Sequence, residues 1–190
     1  MGTAMNEDIS KSILNPQGII DGFGEWLEVT LPVGEVPLSD RAIAFLEEGR
    51  RRMHEVDCFD FVPSNYEMAW KVLAALPRGR FCEWGSGLGI AVGLAAILGH
   101  ESMGIELDAG LAEASRGLLR AHGLCANIET GSYLDRIDPA DYYYVYTWPS
   151  QRQKVLEHFL ATTPAQSHLL LWEGQDDLRV RTRRTNTATM

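Results

Sequence analysis

A doubly wound, mostly parallel α/β sheet with helices on both faces is predicted by three observations. From Gly79 onward, short apolar or β-branched runs alternate with segments of helical length and period. The first run, Arg80–Trp84, passes directly into the glycine-rich turn Gly85-Ser86-Gly87-Leu88-Gly89 and then an apolar helix. The second run, "ESMGIEL", carries an acid at its end, 23 residues after Glu83. Strands joined by helices need right-handed crossovers, and the outcome is a Rossmann-like sheet.

The elements follow in order. Residues 1–36 are rich in Gly, Pro and polar residues around the apolar island "GEWLEVTLPVGEVPL" and read as a partly ordered arm. A single domain is expected over 37–190, with its ligand-binding core over about 60–175. Ser39-Asp40 opens a helix with Ile43, Leu46, Arg50 and Met53 on one stripe. Ser64, three residues before Glu67, has capping-box spacing for a second helix. Tyr66, Ala69, Trp70, Leu73 and Leu76 share its inner face, and Pro77 stops it. These are the N-terminal helices of the fold.

Arg80–Trp84 is the first strand of the alternating region, and Gly89–Leu98 is a helix apolar nearly all round, hence buried. Gly93 in that helix allows close approach to a neighbour. Glu101–Leu107 is a strand, and Asp108 caps a helix with Leu111, Ser115, Leu118, Leu119 and His122 on one face. Cys125–Thr130 and Asp141–Thr147 are further strands, and the short gap between them leaves room for little more than one helical turn. Residues 150–161 form a helix, Ser167–Glu173 a strand and Leu178–Arg183 a last, edge strand. The sheet is therefore shortened at its C-terminus.

Composition narrows the function. The 190 residues carry 17 basic and 26 acidic side chains, a formal net charge of −9, which disfavours non-specific nucleic-acid binding. Two arginine clusters, Arg50–Arg52 and Arg179, Arg181, Arg183 and Arg184, read as solvated faces or as a docking edge. Cys58, Cys82 and Cys125 are too scattered for a disulfide framework and read as buried thiols in a reducing compartment. The five histidines show no ligand spacing, so no metal is expected. No signal-peptide pattern opens the chain, and Ile90–Leu98 is too short to span a bilayer, so a cytoplasmic protein without membrane contact is expected.

The glycine turn fits neither G-x-G-x-x-G, whose third place falls on Ile90 or Val92, nor a P-loop, which ends in Gly-Lys-Ser/Thr. What remains is acid-x-G-x-G-x-G. The acid, Glu83, repels phosphate and suits an ammonium or sulfonium. Glu106, closing the next strand, is placed to bind two ribose hydroxyls. The ligand read from these residues has a ribose and a cationic tail, and no pyrophosphate.

On "EWGSGLG" and "GIELD" the chain resembles the class I S-adenosylmethionine-dependent methyltransferases over roughly residues 60–175. The resemblance implies S-adenosylmethionine as cofactor, S-adenosylhomocysteine as product, and a Rossmann-like fold of that type. It implies that Glu83, Gly85, Gly87 and Gly89 pack on the methionine part and that Glu106 holds the ribose, with Trp84, Ser86 and Leu107 as neighbouring cofactor-binding candidates. Ser132 and Tyr133 stand where the family often has an adenine-binding acid. Thr147, Trp148, Pro149 and Ser150 replace the Asn/Asp-Pro-Pro-aromatic motif of amino-group methyltransferases, Thr147 being a further cofactor-binding candidate, and little chain remains for the family's terminal helix and antiparallel hairpin.

Trp148 faces the expected acceptor position and Glu173 is a candidate to orient or deprotonate a nucleophile; these two are the catalytic candidates. Tyr66 is a candidate to close over the methionine moiety, and the tyrosine stripe Tyr142–Tyr146 reads mainly as strand packing. The expected activity is in-line methyl transfer to a small-molecule or protein acceptor. The alternatives are a non-catalytic S-adenosylmethionine-binding scaffold acting with a partner and, further off, a nicotinamide-dependent oxidoreductase. Oligomeric state is left open, a homodimer being one option.

Overall fold

The computed structural model describes residues 15–17, 26–53, 64–174 and 176–184. Cys58, Gln175 and most of the N-terminal arm lie outside these residues. The described strands are β1 (Asn15–Gln17), β2 (Trp26–Thr30), β3 (Arg80–Trp84), β4 (Glu101–Glu106), β5 (Ala126–Thr130), β6 (Tyr142–Tyr146), β7 (His168–Gly174) and β8 (Asp177–Arg183). The helices are α1 (Asp40–Met53), α2 (Tyr66–Ala75), α3 (Ile90–Ile97), α4 (Ala109–Ala121) and α5 (Arg152–Thr162), with a 3-10 turn at Tyr133–Asp135. One sheet runs β1-β2-β8-β7-β6-β3-β4-β5. Strands β5, β4, β3, β6 and β7 are parallel, and β8 returns antiparallel to β7.

The expected α/β sheet is therefore present, but its far side differs. β8 is not an edge strand. Trp26–Thr30 pairs with it antiparallel, Trp26 opposite Arg183. An antiparallel neighbour of an antiparallel strand runs the same way as β7. The position beyond β8 is thus filled from the N-terminus rather than by chain that follows. Trp26 is buried and packs on Phe159, ring centroids 5.4 Å apart. Short-range sequence patterns carry no signal for a pairing between residues 26 and 183.

Two apolar layers cover the sheet. One holds α1, α2, α3 and α4 against Phe81, Tyr142, Tyr144, Leu170 and Trp172. The other packs α5 through Val155, Leu156 and Phe159 on Cys82, Trp84, Tyr143 and Leu171. As expected, α3 is buried between the sheet and the N-terminal helices. A Cβ on Gly93 would stand 2.1 Å from the Phe45 ring, so α1 and α3 touch only because position 93 has no side chain.

Several local expectations shift. The inner face of α1 is Ala42, Phe45, Leu46 and Gly49, while Ile43 is exposed, because Phe45 takes the position facing α3 at Gly93. The cap of α2 is Asn65, whose side chain accepts the Met68 N–H at 3.1 Å, so Ser64 lies outside the helix. Cys82 is buried, but Cys125 is exposed. The arginines of β8 are engaged within the fold. Arg179 pairs with Glu28 at 2.8 Å and Arg181 with Glu173 at 2.6 Å, and Arg183 donates to the Phe159 and Thr163 carbonyls. Among the described residues no helix is long and apolar enough to cross a membrane.

Candidate functional site

β3 has β4 on one side and β6 on the other, so the connections leaving its carboxyl end diverge. A cleft opens at such a switch point. It measures about 660 Å³, and a smaller chamber of about 320 Å³ adjoins it through Gly85, Glu106, Leu107, Tyr133 and Gln151.

The glycine turn forms one wall. Gly85, Gly87 and Gly89 have φ of +73°, +53° and +68°, a backbone path that side-chain-bearing residues rarely follow. The turn is clamped to β4. The Gly85 and Ser86 N–H groups both donate to the Ile105 carbonyl, at 2.9 and 3.0 Å. Glu106 Oε2 accepts the Gly87 N–H at 2.7 Å, and Oε1 accepts the Asp108 N–H at 2.9 Å. The acid at the end of β4 thus fixes both its own turn and the glycine turn. Ser86 lies over Gly104, where a Cβ would come within 2.6 Å of it. Gly104, in the middle of "SMGIE", is a site determinant that sequence reasoning missed; a glycine inside a strand is the signal that marks such close approach.

Glu83 is 8% exposed, and its Oε2 accepts the N–H of Val92, in the first turn of α3, at 3.2 Å. It takes the capping role for which Gly89 has no side chain. Burial pushes its carboxyl well above the usual range; the Val92 N–H works against this, and the Glu106 charge adds to it. Tyr66, also on the cleft, has its hydroxyl pushed well above the ordinary phenol value, first by burial and then by Glu83.

The large chamber collects Glu83, Trp84, Gly85, Ser86, Gly87, Glu106, Leu107, Tyr133, Tyr66 and Trp148 from the expected site residues. Ser64, Asp108, Leu111, Tyr146 and Gln151 complete its lining. Ser132 lines the small chamber beside Leu134 and Lys154, its hydroxyl accepting the Leu134 N–H at 3.2 Å. Tyr133 stacks on Trp84, centroids 5.2 Å apart and planes within 5°.

No family model matches the sequence, and no curated protein matches it. Solved structures do. An RNA methyltransferase from Salinibacter ruber, in complex with S-adenosyl-L-homocysteine, matches with TM-score 0.58 and 18% identity over 67% of this chain and 97% of that one. An O-methyltransferase from Bacillus cereus, also in complex with S-adenosylhomocysteine, matches with TM-score 0.56 and 14% identity over 72% and 67%. An O-methyltransferase from Streptomyces achromogenes involved in tomaymycin synthesis, in complex with S-adenosylmethionine, matches with TM-score 0.54 and 16% identity over 72% and 66%.

The fold is that of the class I S-adenosylmethionine-dependent methyltransferases.

Within this methyltransferase fold, three expected site residues lie off the cleft. Gly89 faces α4, where a Cβ would meet Ser115 Oγ at 2.1 Å; it lets the start of α3 approach α4. Thr147 is buried, its hydroxyl donating to the Trp148 carbonyl at 3.2 Å. Glu173 is held by Arg152 and Arg181, each at 2.6 Å, across to α5 and β8. Its carboxylate ties the sheet together, and neither it nor Gly174 lines the cleft. Trp148, by contrast, is 46% exposed at the cleft and meets Tyr146 edge-on, centroids 6.0 Å apart at 87°.

Proposed function

We propose that the chain binds S-adenosylmethionine in this cleft and transfers its methyl group to an acceptor. The observation that carries the reading is the joint placement of the glycine turn and Glu106 on one wall, bonded to each other. A carboxylate oxygen holding one backbone N–H retains a second lone pair, so Glu106 can keep Gly87 and Asp108 in place and still accept from a ribose diol. No side chain crowds Gly85, where an added Cβ would have nothing within 4 Å, so a ligand has room to lie against the turn. The Ser86 hydroxyl is buried without a hydrogen-bond partner. These three features fit the cofactor.

When bound, the cofactor supplies a methyl group already activated by its positive sulfur. The residues of this chain then have to position and shield. Glu106 orients the ribose. Leu107, Ser132, Tyr133 and Leu134 flank the small chamber, which suits a flat base. Glu83 presents a buried carboxyl, and a cationic tail beside it would favour the ionised form that burial alone disfavours. Holding the reacting groups in line is the main source of rate in such a displacement.

Calorimetric titration of the protein with S-adenosylmethionine and S-adenosylhomocysteine tests the reading. Saturable binding of both at one site is expected. Absence of binding by either overturns it.

A further inference from the structure

The acceptor half of the cleft has a chemistry of its own. With the adenosyl group held by Glu106 and the small chamber, the space left is bounded by Ser64, Tyr66, Tyr146 and Trp148. It is aromatic, and Trp148 presents an open face. The acidic side chains on the large chamber, among the described residues, are Glu83, Glu106 and Asp108, and it has neither Lys nor Arg. Lys154 lines only the small chamber, Arg152 is held by Glu173, and Arg50 reaches Tyr66 only as the weakest of its electrostatic influences. A carboxylate or phosphate acceptor would enter a field of its own sign.

Among the described residues, those bounding the acceptor space (Ser64, Tyr66, Tyr146 and Trp148) include no carboxylate, and the carboxylates elsewhere on the chamber are engaged by backbone N–H groups, Glu106 by Gly87 and Asp108, and Asp108 by Leu111. The lining contains no His and no Lys among the described residues. Tyr66 holds its proton, and Glu83 is turned to the Val92 N–H. Phenols and alcohols need a base to take their proton, because their nucleophilic form is the anion. An uncharged aromatic nitrogen does not; its lone pair is free at neutral pH.

Resting on the cofactor reading above, we infer that the acceptor is a neutral planar nitrogen heterocycle, stacked on Trp148 and methylated on its ring nitrogen. The ring nitrogen's lone pair forms the bond to the methyl carbon as the methyl–sulfur bond breaks. That bond's electron pair leaves with sulfur, which becomes neutral, and the positive charge passes to the ring. No proton moves and no other reactant is required. Positive charge grows on the ring during transfer, against an indole face and beside acidic groups, so these contacts strengthen toward the transition state.

The test uses the protein saturated with S-adenosylhomocysteine and three probes of one shape: quinoline, 2-naphthol and 2-naphthoate. Binding is read by ligand-observed NMR titration. Quinoline is expected to bind at least tenfold more tightly than 2-naphthoate, and Trp148→Ala to weaken quinoline about fivefold or more. Saturable binding of S-adenosylhomocysteine by that variant is the check that its cleft is still folded. With S-adenosylmethionine, mass spectrometry should find N-methylquinolinium and no 2-methoxynaphthalene. Equal or tighter binding of 2-naphthoate, methylation of the naphthol alone, absence of quinoline binding, or indifference to Trp148→Ala each overturns the inference. Failure to bind S-adenosylhomocysteine instead strikes the cofactor reading, and the preliminary titration detects it separately.

Discussion

Glu106→Ala is the substitution whose consequences follow most directly from the geometry. The side chain accepts two backbone N–H groups, at 2.7 and 2.9 Å, and in the proposed complex also a ribose diol. A hydrogen bond to a charged group contributes about 1.5–3 kcal/mol. The cleft is open, so water can reach the freed Gly87 and Asp108 N–H groups. The net loss of stability without ligand should then be about 1–2 kcal/mol. For a chain of this size that corresponds to a drop in Tm of about 2–8 °C. Losing two bonds to the ribose adds about 3 kcal/mol to dissociation at the lower figure, a weakening of about 150-fold. Scanning calorimetry without ligand reads the first effect and isothermal titration with S-adenosylhomocysteine the second. Asp108→Ala is the control. It removes a helix cap, Leu111 N–H to Asp108 Oδ1 at 2.7 Å, and should cost about 1 kcal/mol of stability with little change in affinity. Affinity within threefold of the wild type in folded Glu106→Ala would refute the assignment of Glu106 to the ribose.

Two further outcomes are expected. Trp26→Ala should destabilise the fold by about 3–5 kcal/mol, the cost of truncating a buried Trp, while leaving S-adenosylhomocysteine affinity of the folded protein unchanged. Chemical denaturation checks this, and a change below about 1 kcal/mol would contradict the role of β2 in the sheet. Glu83→Gln should remove a pH dependence. Because burial raises the Glu83 value in the folded state, the unfolded chain loses this proton first as pH rises. Wild-type stability contributed by Glu83 is therefore complete below about pH 4.5 and declines as pH rises toward the folded-state value, by at most about 1.4 kcal/mol per pH unit. Denaturation of both proteins at pH 5.5 and 8 should show the wild type losing ground to Glu83→Gln; a constant difference would contradict it.

The elements between Arg80 and Glu173 were legible because their signals are local. Alternation of apolar runs marked the strands, and Asp108 and Gly123 bracketed α4 with a cap and a stop. The short gap before β6 left room for only the 3-10 turn that fills it. The glycine turn was legible for the same reason. Positive φ at successive glycines after a strand is a local requirement, and an acid at the end of that strand is visible beside it.

Local patterns alone thus marked out the parallel half of the sheet and the glycine turn that walls the cleft. Tertiary structure decided the rest. It placed Trp26–Thr30 beside β8, a pairing set by buried area and strand edges that no local pattern records. It drew Arg179, Arg181 and Arg183 into the fold and turned Glu173 toward Arg152 and Arg181, off the cleft. It made Phe45 rather than Ile43 the inner residue of α1, because Gly93 across the interface leaves space for a ring. And it bonded Glu106 to Gly87, joining two motifs that the sequence could only set side by side. Such choices depend on which surfaces meet, and that is a property of the whole packed chain.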